Sequence, residues 1–99
     1  MKFVQTIAWR TSRVDEMRAV AERFQAENPD PGPGFLGLKM LKDRDRENSY
    51  LVVAEFESYE LAKQNSARPE VDAFNKEMMA LSDEPPTFGN YDVIEETTT

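Results

Sequence analysis

Residues 35–56 read Phe35-Leu36-Gly37-Leu38-Lys39-Met40-Leu41-Lys42, then Asp43-Arg44-Asp45-Arg46-Glu47-Asn48, then Ser49-Tyr50-Leu51-Val52-Val53-Ala54-Glu55-Phe56. Two strand-like stretches, Phe35 to Lys42 and Ser49 to Phe56, flank a run of charge that suits a solvated hairpin tip. In the second stretch Tyr50, Val52, Ala54 and Phe56 alternate with Leu51 and Val53. A strand apolar on both faces belongs near the middle of a sheet.

On the N-terminal side, Asn28-Pro29-Asp30-Pro31-Gly32-Pro33-Gly34 cannot propagate a helix and must form a loop. It stops an amphipathic helix, Val14 to Glu27. In that helix Val14, Met17, Val20, Ala21 and Phe24 share a stripe about 120° wide by the 3.6-residue period. Ser12 with Asp15 three residues on is expected to form a capping box at its start. Ahead of it, Phe3 to Arg10 reads as a strand. Phe3, Gln5, Ile7 and Trp9 take one face and Val4, Thr6, Ala8 and Arg10 the other, and neither face is wholly polar.

On the C-terminal side, a broken helical stretch runs from Tyr59 to Leu81. Ser58 can cap it, and Glu60 suits its N-terminal dipole. Pro69 forces a break or restart, after which Val71, Phe74, Met78 and Leu81 repeat as one buried stripe. Pro85-Pro86 is expected to end the helix, and Phe88 to Ile94 to form a last strand with a frayed tail over 95–99.

The order is therefore βαββαβ in a single domain over 1–99. This is the α+β, ferredoxin-like arrangement built on a four-stranded antiparallel sheet. Helices on one face leave the other face of the sheet open, although the first and third strands are apolar there too. A second copy of the chain is the expected cover, making a homodimer with its sheets face to face.

Composition removes several function classes. Nineteen acidic residues against 12 basic ones give a net charge of −7, which repels nucleic acid and anionic membranes. No apolar run approaches the roughly 20 residues of a membrane span, and the N-terminus lacks a signal-peptide pattern. A cytoplasmic location is expected. The chain has no His and no Cys, so Ser-His-Asp and Cys-His nucleophiles, imidazole or thiolate zinc sites and His-ligated haem are excluded. Any general acid or base must be a carboxylate, Lys or Tyr, or belong to the substrate. The acidic residues are scattered without a calcium-loop spacing, so neither a metal nor a cofactor is expected.

Three segments carry a resemblance: Pro33-Gly34-Phe35-Leu36-Gly37, Glu55-Phe56-Glu57-Ser58-Tyr59-Glu60 and Tyr91-Asp92-Val93-Ile94. In the order βαββαβ, over roughly residues 2 to 95, they resemble the antibiotic biosynthesis monooxygenase family of dimeric α/β barrels. The resemblance implies a homodimer with a small apolar pocket between sheet and helices in each subunit. It also implies oxygenation of electron-rich aromatics such as anthrones and quinols, without metal, flavin or haem. Phe56 stands where many active members carry Trp. Gln64-Asn65 stands near the His of haem-degrading relatives, and Ile7-Ala8 where those carry Asn, so haem degradation is disfavoured.

Asn65 and Tyr50 are the candidate catalytic residues, as a hydrogen-bond donor to a substrate carbonyl and an orienting or proton-relaying hydroxyl. Phe56, Trp9, Phe74 and Tyr91 are the candidate pocket residues, offering rings to a flat ligand. Arg10 or Lys39 could draw an anionic substrate to the mouth. Met17, Met40, Met78 and Met79 are expected in the core. Two further readings predict no oxygen consumption: a non-catalytic dimeric barrel that binds a small apolar metabolite, and a structural domain with a filled core.

Overall fold

The computed structural model describes residues 1–98. Its elements are β1 (Phe3–Arg10), α1 (Val14–Glu27), β2 (Phe35–Lys42), β3 (Ser49–Phe56), α2 (Tyr59–Ser66), α3 (Pro69–Ala80) and β4 (Thr87–Asp92). The strands form one antiparallel sheet in the order β2-β3-β1-β4, which puts the strand apolar on both faces inside, beside β1. No helix among the described residues is long and apolar enough to cross a membrane.

The helical stretch after β3 divides where Pro69 requires it. Pro69 has no amide hydrogen to give to α2, but it fits the first turn of α3. The described residues thus hold three helices. Ser58 caps α2 as expected, its hydroxyl oxygen accepting the Leu61 N–H at 3.2 Å.

Three local expectations are corrected. No Ser12–Asp15 capping box forms: Arg13 holds the cap position of α1 without a side-chain bond. Thr11, fully buried, accepts the Arg13 N–H at 2.9 Å and donates to the Leu81 carbonyl at 2.7 Å, tying the start of α1 to the end of α3. The Ser12 hydroxyl instead donates to Asp83 at 3.3 Å. The second correction concerns α3, which ends at Ala80, ahead of Pro85-Pro86. The third is that β4 spans Thr87–Asp92 rather than Phe88 to Ile94, although the Val93 N–H still donates to the Lys2 carbonyl at 2.8 Å. Residues 95–98 carry no secondary structure, and the remaining residue of the expected tail, Thr99, lies outside the described residues.

The register carries a bulge that alternation alone conceals. Phe35 faces Phe56 and Gly37 faces Glu55, so Leu36 is the extra residue of β2. Beyond it Leu38, Met40 and Lys42 share a side with Ala54, Val52 and Tyr50, towards the helices. The core beneath the helices is in two clusters. Phe3, Ala54, Phe56 and Ala62, with Phe35, fill one. Trp9, Met17, Val52 and Met78 fill the other, with Val20, Met40, Tyr50 and Phe74 packed against it. Met79, expected in the core, is exposed.

Gly34 shows how the loop enters the sheet. Its φ is +72°, its carbonyl accepts the Glu57 N–H at 2.8 Å, and an added Cβ would stand 2.7 Å from the Leu61 Cβ. Backbone against a packed helix leaves little room to yield. Gly34→Ala is expected to lower unfolding free energy by about 1–3 kcal/mol, the usual cost of strained backbone. Urea unfolding measures this, and an unchanged midpoint would refute the fit.

Candidate functional site

The strand ends meet around a half-open cavity of about 530 Å³. β1 contributes Ala8, Trp9 and Arg10, β2 contributes Leu41 and Lys42, and β3 contributes Ser49, Tyr50 and Leu51. Asp43 and Arg46 enter from the hairpin tip, Glu84 and Pro85 from the connection after α3, and Thr87 from β4. These residues span most of the chain, and the antiparallel register brings them together. Thr87, Ala8, Leu51 and Leu41 form one row across the sheet, on the side away from the helices. Trp9, Tyr50 and Lys42 form the next row, on the helix side. The cavity thus wraps the end of the sheet and takes walls from both faces.

Its charge differs from that of the whole molecule. Arg10, Lys42 and Arg46 are exposed, and among the described residues none of them forms an ion pair or a side-chain hydrogen bond. Asp43 and Glu84 oppose them, but Asp43 is committed to the turn, its carboxylate accepting the Asp45 and Arg46 N–H groups at 2.9 and 3.2 Å. Trp9 is only 4% exposed, and its Nε1–H is buried without a hydrogen-bond partner. A buried donor left unmade is costly and marks a place where an acceptor would be stabilised.

Of the residues expected from sequence, Trp9 and Tyr50 are brought together as cross-strand neighbours, and both line the cavity. Phe74 packs in the same core cluster without reaching the cavity, and its ring stacks on Phe24 at 4.5 Å. Phe56 belongs to the other cluster, edge-on to Phe35 at 5.7 Å.

Asn65 sits near the end of α2, where its side-chain carbonyl accepts from Arg68 at 3.0 Å. Arg68 also donates to Glu70 at 2.6 Å and reaches the Asp30 carbonyl, fastening the proline-rich loop to the α2–α3 junction. Glu70 accepts its own backbone N–H and the Arg68 guanidinium, and these hold its carboxyl below the usual carboxylate range. Tyr91 is 58% exposed on the open face. Its ring lies across Gly89, where an added Cβ would meet the Tyr91 ring at 2.6 Å and Thr6 Oγ1 at 2.5 Å.

Arg10 is at the cavity, whereas Lys39 is on the open face beside Val53. Lys42, Arg46, Leu41, Leu51 and Pro85 were not singled out from sequence. Pairing Phe35–Lys42 end to end against Ser49–Phe56 would have set Lys42 opposite Ser49, and the Leu36 bulge shifts it opposite Tyr50. Among the described residues no group of three or more carboxylates is placed to hold a metal ion.

No family model matches the chain, and no curated protein matches it in sequence. Solved structures do match in shape. SnoaB, a cofactor-independent oxygenase from Streptomyces nogalater, is similar with a TM-score of 0.74 and 23% identity, over 96% of this chain and 93% of its own. A mutant of SnoaB reaches 0.81 at 21% identity, over 96% and 95%. A candidate antibiotic biosynthesis monooxygenase from Caulobacter crescentus CB15 gives 0.81 at 17% identity, over 95% and 91%. The chain therefore has the ferredoxin-like fold of the antibiotic biosynthesis monooxygenases.

Proposed function

We propose that the protein is a cofactor-independent monooxygenase that oxidises a small electron-rich aromatic or quinol-type substrate with O2. The observation that carries this reading is the fold shared, over nearly its whole length, with a cofactor-independent oxygenase. A chain without His or Cys suits chemistry in which the substrate supplies its own electrons. For an anthrone-type ring methylene, loss of a proton gives an enolate, which passes one electron to O2. Recombination of the radical pair forms the C–O bond of a hydroperoxide. Cleavage of its O–O bond with loss of the remaining C–H proton gives the ketone and one water. One oxygen atom ends in the product and the other in water, with all four electrons drawn from substrate.

The protein's task is then to desolvate and orient the ring and to handle one proton. Tyr50 is the residue we assign to that proton: its half-buried phenol lines the cavity beside Trp9. Asn65, held by Arg68 outside the cavity, has no such access here.

The active form in this reading is a homodimer. The open face of the sheet supports it, with Val4, Val53 and Tyr91 sharing one surface that no helix covers. Two such faces together would bury it.

Dissolved-oxygen uptake by metal-stripped protein tests the activity, across anthrones, hydroquinones and catechols, with chelator present and autoxidation subtracted. Saturable uptake is expected for at least one compound. Tyr50→Phe should cut kcat by about 100-fold or more if the phenol moves the proton. No uptake above blank would sink the oxygenase reading. The second reading is a non-catalytic barrel that binds a small apolar metabolite. It is favoured by Phe56, which fills the core beside Phe35 instead of lining the cavity.

A further inference from the structure

We infer that the cavity at the strand ends takes a ligand with a flat ring and a carboxylate, and that Arg10, Lys42 and Arg46 hold the carboxylate. In its aromatic half this rests on the oxygenase reading; the anionic half stands on the cavity alone.

Half of the chain's 12 cations pair with carboxylates, among them Arg23 with Glu77, Lys76 with Asp72 and Arg68 with Glu70. Arg18, Lys39 and Arg44 also lack a carboxylate partner among the described residues, but Arg10, Lys42 and Arg46 are set apart by lining one hollow together. Three cations against the two carboxylates Asp43 and Glu84 leave the hollow net positive, and an arriving anion would offset that excess. One of the two opposing carboxylates, Asp43, has its lone pairs turned to backbone N–H groups.

The floor chooses the rest of the ligand. Ala8, Leu41, Leu51 and Pro85 give an apolar bed, which a hydrated inorganic anion would not use. A cavity of about 530 Å³ falls within the range of roughly 300–1,000 Å³ that holds small organic ligands. A polyanion such as nucleic acid would meet the negative remainder of the surface. Lys42 stands directly across from Tyr50, one strand spacing of about 5 Å away. A carboxylate held at Lys42 therefore places its attached ring beside Tyr50, at the end of the sheet. Guanidinium groups favour this anion because their paired N–H donors match its two oxygens.

Calorimetric titration with three probes that cannot be oxidised as quinols tests the inference: 2-naphthoate, its neutral analogue naphthalene-2-carboxamide, and 2-naphthylmethylammonium. Naphthoate should bind about tenfold or more tighter than the carboxamide, and weaken as salt screens the cations. The cationic probe should bind weakest. The double variant Lys42→Gln/Arg46→Gln, at exposed positions that leave the core intact, should lose most of the naphthoate preference and keep carboxamide affinity. Equal affinity for naphthoate and carboxamide, no binding of either, or an unaltered preference in the double variant would each overturn the inference. Oxygen uptake is read separately. A protein that prefers naphthoate yet consumes no oxygen with any anthrone would keep this inference and lose the oxygenase.

Discussion

Met17→Ala is expected to cost more stability than any other single truncation in α1. Met17 is fully buried, at the meeting of Trp9, Val52 and Met78, where β1, β3 and α3 converge under α1. Removing a long side chain at such a point loses its transfer free energy and leaves a cavity whose walls cannot all collapse. The loss should be about 2–5 kcal/mol. A small domain has only about 5–15 kcal/mol in total, so the loss is a large share. For a chain of this size the melting temperature should fall by at least about 10 °C. Differential scanning calorimetry would show it. A fall of a degree or two would mean that the second core cluster is not the main support of the fold.

The second large effect concerns assembly. Val53 is half-buried at the middle of the open face, between Thr6 and Lys39 on neighbouring strands. In a face-to-face homodimer a Val53→Glu side chain would lose its water, and the adjacent Lys39 would offset only part of that cost. Two-fold symmetry would place that cost in the interface twice. An uncompensated buried charge costs about 3–5 kcal/mol, and even with Lys39 offsetting roughly half of it in each subunit the dimer should weaken by about a hundredfold or more. In a single subunit the same side chain would face water and fold normally. Sedimentation velocity over a range of concentrations should therefore show wild-type dimers and variant monomers with unchanged circular dichroism. Wild-type protein that sediments as a monomer at tens of micromolar would refute the assembly.

The sequence carried the framework because its decisive signals are local. The first four elements begin and end where alternation, the Val14–Phe24 stripe and the Pro-Gly loop place them. The break at Pro69 needed no tertiary information either, since a missing N–H and a ring clash act within one turn. What escaped was set by contacts distant along the chain. Ser12 was free to cap its helix in principle, but it lies beside Asp83, while Thr11 is drawn to Leu81. The Leu36 bulge is a property of the β2–β3 pair and leaves no mark in β2 alone.

The candidate site was less legible for the same reason. Trp9 and Tyr50 could be nominated for their chemistry, but their adjacency, and the arrival of Lys42, Arg46 and Pro85 beside them, follow from register. Aromatic side chains are also poor witnesses. Phe56, Phe74 and Tyr91 look alike in a sequence, yet they occupy one core cluster, the other, and the opposite face of the sheet.

The sheet order has one more consequence, for how the chain is made. β1 leaves the ribosome well ahead of one of its two neighbours, β4, which runs from Thr87 to Asp92. Until those residues emerge, β1 presents a row of unpaired amides and carbonyls on that side, next to Ile7 and Trp9. The nascent polypeptide thus carries an adhesive edge for as long as residues 11–86 and β4 itself take to be made. Such an edge is a ready template for pairing with other chains, and it is the segment a holding chaperone would shield.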